Sequence, residues 1–115
     1  MTVDDLEDYV VDLDGFEVGR MVGADGQDYL VIRIAEIPGG SLAGRSCEVA
    51  VLRSREVPWV PQAALHVRPA LLPMGQSNTQ ASPVGPEWQY WSRRYDRVPT
   101  PRGFMTHVLT VLAGV

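Results

Sequence analysis

Cys47 is the one thiol of the chain, and cysteine is the side chain best suited to covalent carrier chemistry near neutral pH. A reactive thiolate needs a neighbouring base or a cationic environment that lowers the cysteine pKa. Arg45 alone is close in sequence, and the apolar run over residues 49–52 predicts a strand over residues 48–52. We therefore expect Cys47 to be a small, half-buried strand residue. A single cysteine also provides no disulfide and no zinc site of the usual spacing.

The densest aromatic cluster of the chain stands directly before a group of arginines. This aromatic–arginine block comprises Trp88, Gln89, Tyr90, Trp91, Ser92, Arg93 and Arg94. Tryptophan and arginine are frequent anchors of protein interfaces, so the block predicts an exposed binding surface, with His107 as a further candidate. Stacking on nucleic-acid bases is an alternative, but the net charge of −4 argues against it and favours packing between arginines and aromatic rings.

The two histidines and the remaining polar residues form no recognisable catalytic arrangement. His66 alternates with Leu65 and Val67, which predicts an outward position on a strand. His107 lies on the predicted C-terminal helix, away from its apolar face, where a hydrogen-bonded structural role is expected. No pair of carboxylates has acid–base spacing, and no glycine-rich loop leads into a helix to hold a phosphate. We expect neither a cofactor nor a metal.

Length and composition favour one globular domain over residues 1–115. The chain is 45% hydrophobic and 21% charged, values typical of ordered globular proteins. No run of 18 apolar residues exists, which excludes a membrane-spanning helix. The chain begins with acidic residues, where a signal peptide would carry positive charge followed by an apolar stretch. We expect a cytoplasmic protein.

Charge is distributed unevenly along the chain. Residues 1–28 contain nine acidic residues and one arginine, a net charge of −8. The rest contains nine arginines and five acidic residues, a net charge of +4. All ten basic residues are arginines, so no lysine amine is available to accept a transferred modifier on the protein itself.

Short predicted strands joined by turns must position these residues. Such strands favour an antiparallel meander over parallel β-α-β units, so the expected fold class is α+β with a helix at each end. The second helix has a strong start signal, because Thr100 can cap it and Pro101 suits the first helical position. The expected elements are a helix over residues 2–10, strands over 16–22, 29–37, 48–52 and 65–68, a long irregular loop over 69–87, and a helix from 101 to about 113.

This order of elements resembles prokaryotic family E of the ubiquitin-conjugating-enzyme (UBC) fold. Residues 88–94 are similar to the family's Trp-Gln-x-Trp-Ser-Arg-His signature, and residues 99–108 resemble its following Pro-Gly-x-Asp…Thr-His-Leu helix. Residues 37–40 are similar to its Leu-Pro-x-Gly turn, and Pro58, Pro61 and Pro69 resemble the prolines that bound a UBC strand. The resemblance implies a UBC-like antiparallel meander between an N-terminal and a C-terminal helix.

Departures from the family pattern bear on the reaction. An active conjugating enzyme carries its thioester cysteine after the proline-bounded strand, and residues 69–87 contain none. Ser77, Thr79 or Ser82 would need an activating base that the sequence does not show. Arg94 stands where the family has histidine, and Arg102 where its helix has an acid. The resemblance therefore implies the fold and the pathway more than a covalent step.

Taken together, these patterns predict a non-catalytic UBC-like component of a bacterial ubiquitin-like conjugation system. The resemblance implies association with a ubiquitin-like protein, a ThiF-type activating enzyme and a JAB-type deconjugating peptidase, with the aromatic–arginine block as the binding surface. Two alternatives stay open. One is a structural or interaction subunit, a homodimer built on the same tryptophans; the other is an enzyme in which Cys47 is a displaced carrier, although we expect Cys47 to form no thioester.

Overall fold

Six antiparallel strands form one sheet, and a helix at each end of the chain packs on the same face of it. The computed structural model describes residues 1–115. The order across the sheet confirms the predicted α+β class and antiparallel meander, since the first four strands are neighbours in chain order. The elements are α1 (Val3–Val11), β1 (Phe16–Val22), β2 (Asp28–Ile34), β3 (Cys47–Leu52), β4 (Leu65–Arg68), β5 (Thr79–Ala81), β6 (Gln89–Trp91) and α2 (Pro101–Ala113), and the sheet order is β1-β2-β3-β4-β6-β5.

Both helices begin at the predicted caps. The backbone N–H of Asp5 donates to the Thr2 hydroxyl at 3.2 Å, and the Asp5 carboxylate accepts from the Thr2 N–H at 2.7 Å, which completes a capping box. At α2 the Thr100 hydroxyl accepts from the Gly103 N–H at 3.1 Å, with Pro101 at the first helical position. These local hydrogen bonds satisfy backbone donors that the first helical turn leaves free.

The main hydrophobic core lies between the helices and one face of the sheet. Alternate residues of each strand point to this face, because successive side chains of a strand point to opposite sides. Leu6 of α1 and Phe104 and Leu112 of α2 are fully buried against them. The strand residues buried on this face are Leu30, Ile32, Ile34, Cys47, Val49, Val51, Leu65, Val67 and Trp91.

Two predicted boundaries are wrong. Strand β2 ends at Ile34 rather than at residue 37, since Ile37 leaves the sheet and its N–H donates to the carbonyl of Arg45 at 2.8 Å. The loop predicted over residues 69–87 contains β5, which pairs with β6. Ser77 and Asn78, at positive φ, turn the chain into that strand. A strand of three residues is too short to show a period of two, so the sequence pattern does not reveal it.

A charge ladder crosses the opposite face of the sheet. Its members are Glu17, Arg33, Glu48, Arg68 and Glu87, and they alternate in sign from β1 to the segment before β6. The closest oxygen–nitrogen distances along it are 3.5, 3.6, 2.8 and 3.2 Å. The pairs on β1 to β4 are direct cross-strand neighbours, where opposite charges stabilise pairing.

Candidate functional site

The two tryptophans of the aromatic–arginine block are buried, so the prediction that they form an exposed surface is wrong. Trp91 is 0% exposed in the main core, and Trp88 is 4% exposed in a second cluster on the opposite face of the sheet. Strand β6 lies between β4 and β5, and Trp91 points to the face of the sheet that the two helices cover. Trp88, just before β6, packs on the other face with Val31, Ala50 and Val84. Trp88 also stacks under the Arg68 guanidinium at 4.5 Å.

Gln89 fastens the segment after β4 to the sheet. Its Oε1 accepts from the N–H groups of Leu71 and Leu72 at 3.1 and 3.2 Å and from the Trp91 indole N–H at 3.2 Å. Its Nε2 donates to the Leu72 carbonyl at 2.6 Å. Sequence reasoning did not assign this role to Gln89. The sequence does contain a signal for it. Gln89 is an amide two residues from Trp91, so the two side chains share one face of a strand, and a buried polar group there needs hydrogen-bond partners.

Arg93 also contributes to structure. Its Nη1 donates to the carbonyls of Ser77 and Ser92 at 3.2 and 2.7 Å, and its guanidinium lies 5.8 Å from the Trp91 ring. The Ser92 N–H donates to the carbonyl of Asn78 at 3.0 Å. Within the block, the half-exposed Tyr90 and the exposed Ser92 and Arg94 therefore keep surface that a partner can reach.

The structure brings Arg94 and His107 together in a groove of about 590 Å³ between residues 94–100 and the first half of α2. We call it the arginine groove, because Arg97 and Arg102 line it as well. These three arginines are exposed, and none of them belongs to an ion pair of the structure. Sequence reasoning selected Arg94 and His107 but did not place Arg97 and Arg102 beside them.

Tyr95 and His107 form a fixed wall of the arginine groove. The Tyr95 hydroxyl donates to the carbonyl of Pro61 at 2.6 Å, and burial raises the pKa of that hydroxyl, so it stays a donor. The His107 Nε2–H donates to the carbonyl of Ala63 at 2.7 Å, and the two rings meet edge to face at 4.8 Å. The expected hydrogen-bonded role of His107 is thus confirmed, and its Nδ1 is left without a hydrogen bond.

His66 is buried, contrary to its predicted outward exposure. It points away from Leu65 and Val67 as the alternation requires, but residues 82–88 cross that face and leave it 4% exposed. Its Nδ1 lies 2.8 Å from the Ser82 hydroxyl, and the Tyr29 and Tyr90 rings flank it. Burial lowers the pKa of His66, which favours the neutral imidazole.

This burial makes stability depend on pH. In the unfolded chain the imidazole titrates near its ordinary pKa of about 6.5, whereas the folded pKa is lower. The unfolded state therefore binds more protons below pH ~6.5, and stability is lost as the pH falls from about 6.5 towards the folded pKa. We expect the free energy of unfolding, measured with urea at pH 7.5 and 5.5, to drop less in His66→Gln than in the parent. Equal drops would contradict this account.

Cys47 lies in the main core at the start of β3, paired with Ile34. It is 3% exposed, which is deeper than the half-buried position predicted. Burial, with a smaller contribution from Glu48, raises the pKa of the thiol to about 11. This raised pKa agrees with the lack of a neighbouring base in the sequence. At neutral pH the group is a thiol, a poor nucleophile compared with a thiolate.

The chain has no group of three or more His, Cys, Asp or Glu residues placed to hold a metal ion. None of its helices is long and apolar enough to span a bilayer. Searches against protein-family models, curated proteins and solved structures found no match.

Proposed function

We propose that this protein is a non-catalytic, UBC-like component of a bacterial ubiquitin-like conjugation system. It acts in the cytoplasm and binds a ubiquitin-like protein or its ThiF-type activating enzyme, in a system that includes a JAB-type peptidase. Support comes from the order of elements, in which α1 precedes four strands that pair consecutively and α2 follows them. That order is the one that the resemblance of the motifs implies.

One observation carries the non-catalytic part of the proposal. The segment directly after β4 is held on the sheet by Gln89, and residues 69–87 contain no cysteine. An active conjugating enzyme presents its thiol in that segment. The chain's one thiol, on Cys47, is instead packed in the core with a raised pKa. Neither place supplies the accessible thiolate that a thioester requires.

The binding surface that we propose is the arginine groove together with Ser92. Of the candidate residues, Arg94 and His107 line this groove, while Trp88 and Trp91 are buried. The alternative of a homodimer through the tryptophans has no supporting surface, because neither indole is accessible to a second copy. A conjugation partner can reach the groove without any rearrangement of the core.

The test first asks whether neighbouring genes encode a ubiquitin-like protein and a ThiF-type activating enzyme, and then combines these two proteins with the purified protein and ATP. We expect the protein to co-elute with one of the two on size-exclusion chromatography and to show no adduct on a non-reducing gel. A band abolished both by reductant and by Cys47→Ala would make the protein a carrier enzyme and overturn the non-catalytic assignment. If the protein co-elutes with neither of the two partners, the conjugation role is overturned. Neighbouring genes that lack the ubiquitin-like protein, the activating enzyme and the JAB-type peptidase would overturn it as well.

A further inference from the structure

We propose that the arginine groove receives an acidic, extended segment of a partner protein, recognised through its carboxylates. The inference deepens the proposed function and rests on it for the identity of the partner, because it names what that partner presents. The charges, the shape and the apolar surface of the groove indicate the chemistry of the segment that it binds.

The arginine groove carries positive charge that no ion pair compensates. The six ion pairs of the structure use Arg20, Arg33, Arg53 and Arg68, and none uses an arginine of the groove. Among the residues that line the groove are three arginines and one acid, Asp96, a net charge of +2. The first turn of α2 carries no acidic residue. An uncompensated positive site on a protein of net charge −4 attracts carboxylates locally.

The shape of the groove suits an extended chain. Arg94 and Arg97 come from the segment after β6, while Arg102 comes from the first turn of α2, so the guanidinium groups are carried by two walls of an open groove. A volume of about 590 Å³ greatly exceeds that of one small anion. An extended chain rises ~3.3 Å per residue and can present successive carboxylates to separate arginines, each able to bind in bidentate fashion.

Part of the groove is apolar. Val98, which is 71% exposed, lies beside Pro99 and Tyr95 among the lining residues. A peptide backbone with aliphatic side chains can cover this surface. A nucleic acid fits less well, because residues 1–28 carry a net charge of −8 that repels a polyanion and the tryptophans that could stack on bases are buried.

The test measures binding of a fluorescein-labelled ten-residue peptide of alternating Glu and Ala, by anisotropy in 20 mM salt. We expect the double variant Arg97→Glu/Arg102→Glu to weaken binding by about tenfold or more, as charge reversal at a complementary site does. The matched control is Arg45→Glu/Arg55→Glu, which changes the net charge equally at two exposed arginines outside the groove. It should stay within about twofold of the parent, and 300 mM salt should weaken the parent strongly.

Several outcomes would overturn the inference. Equal losses in the two double variants, or equal binding of a peptide with Gln in place of Glu, would show that no specific carboxylate site exists. Tighter binding of a single-stranded oligonucleotide would assign the groove to nucleic acid, and displacement by inorganic phosphate but not by acetate would assign it to phosphate. Self-association of the parent that Arg97→Glu/Arg102→Glu abolishes would make a second copy the occupant.

The two proposals can fail separately. If the acidic peptide binds but neither the ubiquitin-like protein nor the activating enzyme does, the conjugation role fails and the groove assignment stands. If either protein binds equally to the parent and to Arg97→Glu/Arg102→Glu, the groove assignment fails and the conjugation role stands. Circular dichroism should show that both double variants are folded, as expected for substitutions of exposed residues.

Discussion

Replacing Trp91 by alanine is expected to lower the free energy of unfolding by about 3–5 kcal/mol, the usual cost of truncating a buried aromatic residue. The indole is fully buried in the main core, and its N–H donates to Gln89 Oε1 at 3.2 Å. The substitution leaves a cavity between the sheet and the helices and removes that hydrogen bond. Because a domain of this size is stable by only about 5–15 kcal/mol, urea denaturation should show a large loss or an unfolded variant.

The comparison for this prediction is Trp91→Phe. Phenylalanine retains an aromatic ring in the core, so we expect a clearly smaller loss of stability while the indole hydrogen bond to Gln89 is still removed. A Trp91→Ala protein with the stability of the parent and a changed oligomeric state would contradict the burial of Trp91. It would restore the interface role that the sequence pattern indicates.

Replacing Gln89 by leucine is expected to release the segment after β4 and to lower the free energy of unfolding by about 3 kcal/mol. Three N–H groups, those of Leu71 and Leu72 and the indole of Trp91, lose their acceptor. The estimate takes about 1 kcal/mol for each donor left without a partner, at the low end because part of the segment can reach water. Amide hydrogen exchange should accelerate in peptides spanning residues 69–78, and this increase should exceed the increase in β2 and β3.

Gln89→Glu is the matched variant at this position. A carboxylate keeps an acceptor for the three N–H groups but cannot donate to the Leu72 carbonyl, which the Gln89 Nε2 contacts at 2.6 Å. We expect stability between those of the parent and Gln89→Leu, with partial recovery at low pH, where the protonated glutamic acid regains a donor. Unchanged exchange over residues 69–78 in Gln89→Leu would show that other contacts hold the segment.

Local chemistry accounts for what the sequence predicts correctly. The caps at Thr2 and Thr100 act over three residues, so the helix starts can be recognised without knowledge of the rest of the fold. The β-branched run of β2 has a pattern long enough to identify a strand, although its end is set by the loop that follows. The place of Cys47 at the start of β3 predicts that it is at least partly buried, and the structure buries it further.

Pairing between distant segments accounts for what the sequence does not predict. Trp91 is buried because the helices cover its face of the sheet, and Trp88 because residues of β2, β3 and the segment before β6 pack around it; no local pattern encodes these contacts. His66 is buried because residues 82–88 return across the second face of the sheet. The arginine groove is more local, because residues 94–100 lead directly into α2 and line the groove together with it. Its shape depends on how that irregular segment turns, which a helix or strand pattern does not describe.

The charge ladder removes an ambiguity of alignment that the apolar residues leave. A slip of one residue between β2 and β3 would turn apolar side chains to the wrong face, but a slip of two would keep the same faces. After a slip of two, Glu48 would stand opposite Val31 or Ala35 instead of Arg33. The same slip between β3 and β4 would separate Glu48 from Arg68. The ladder thus selects a single register among those that the hydrophobic pattern accepts.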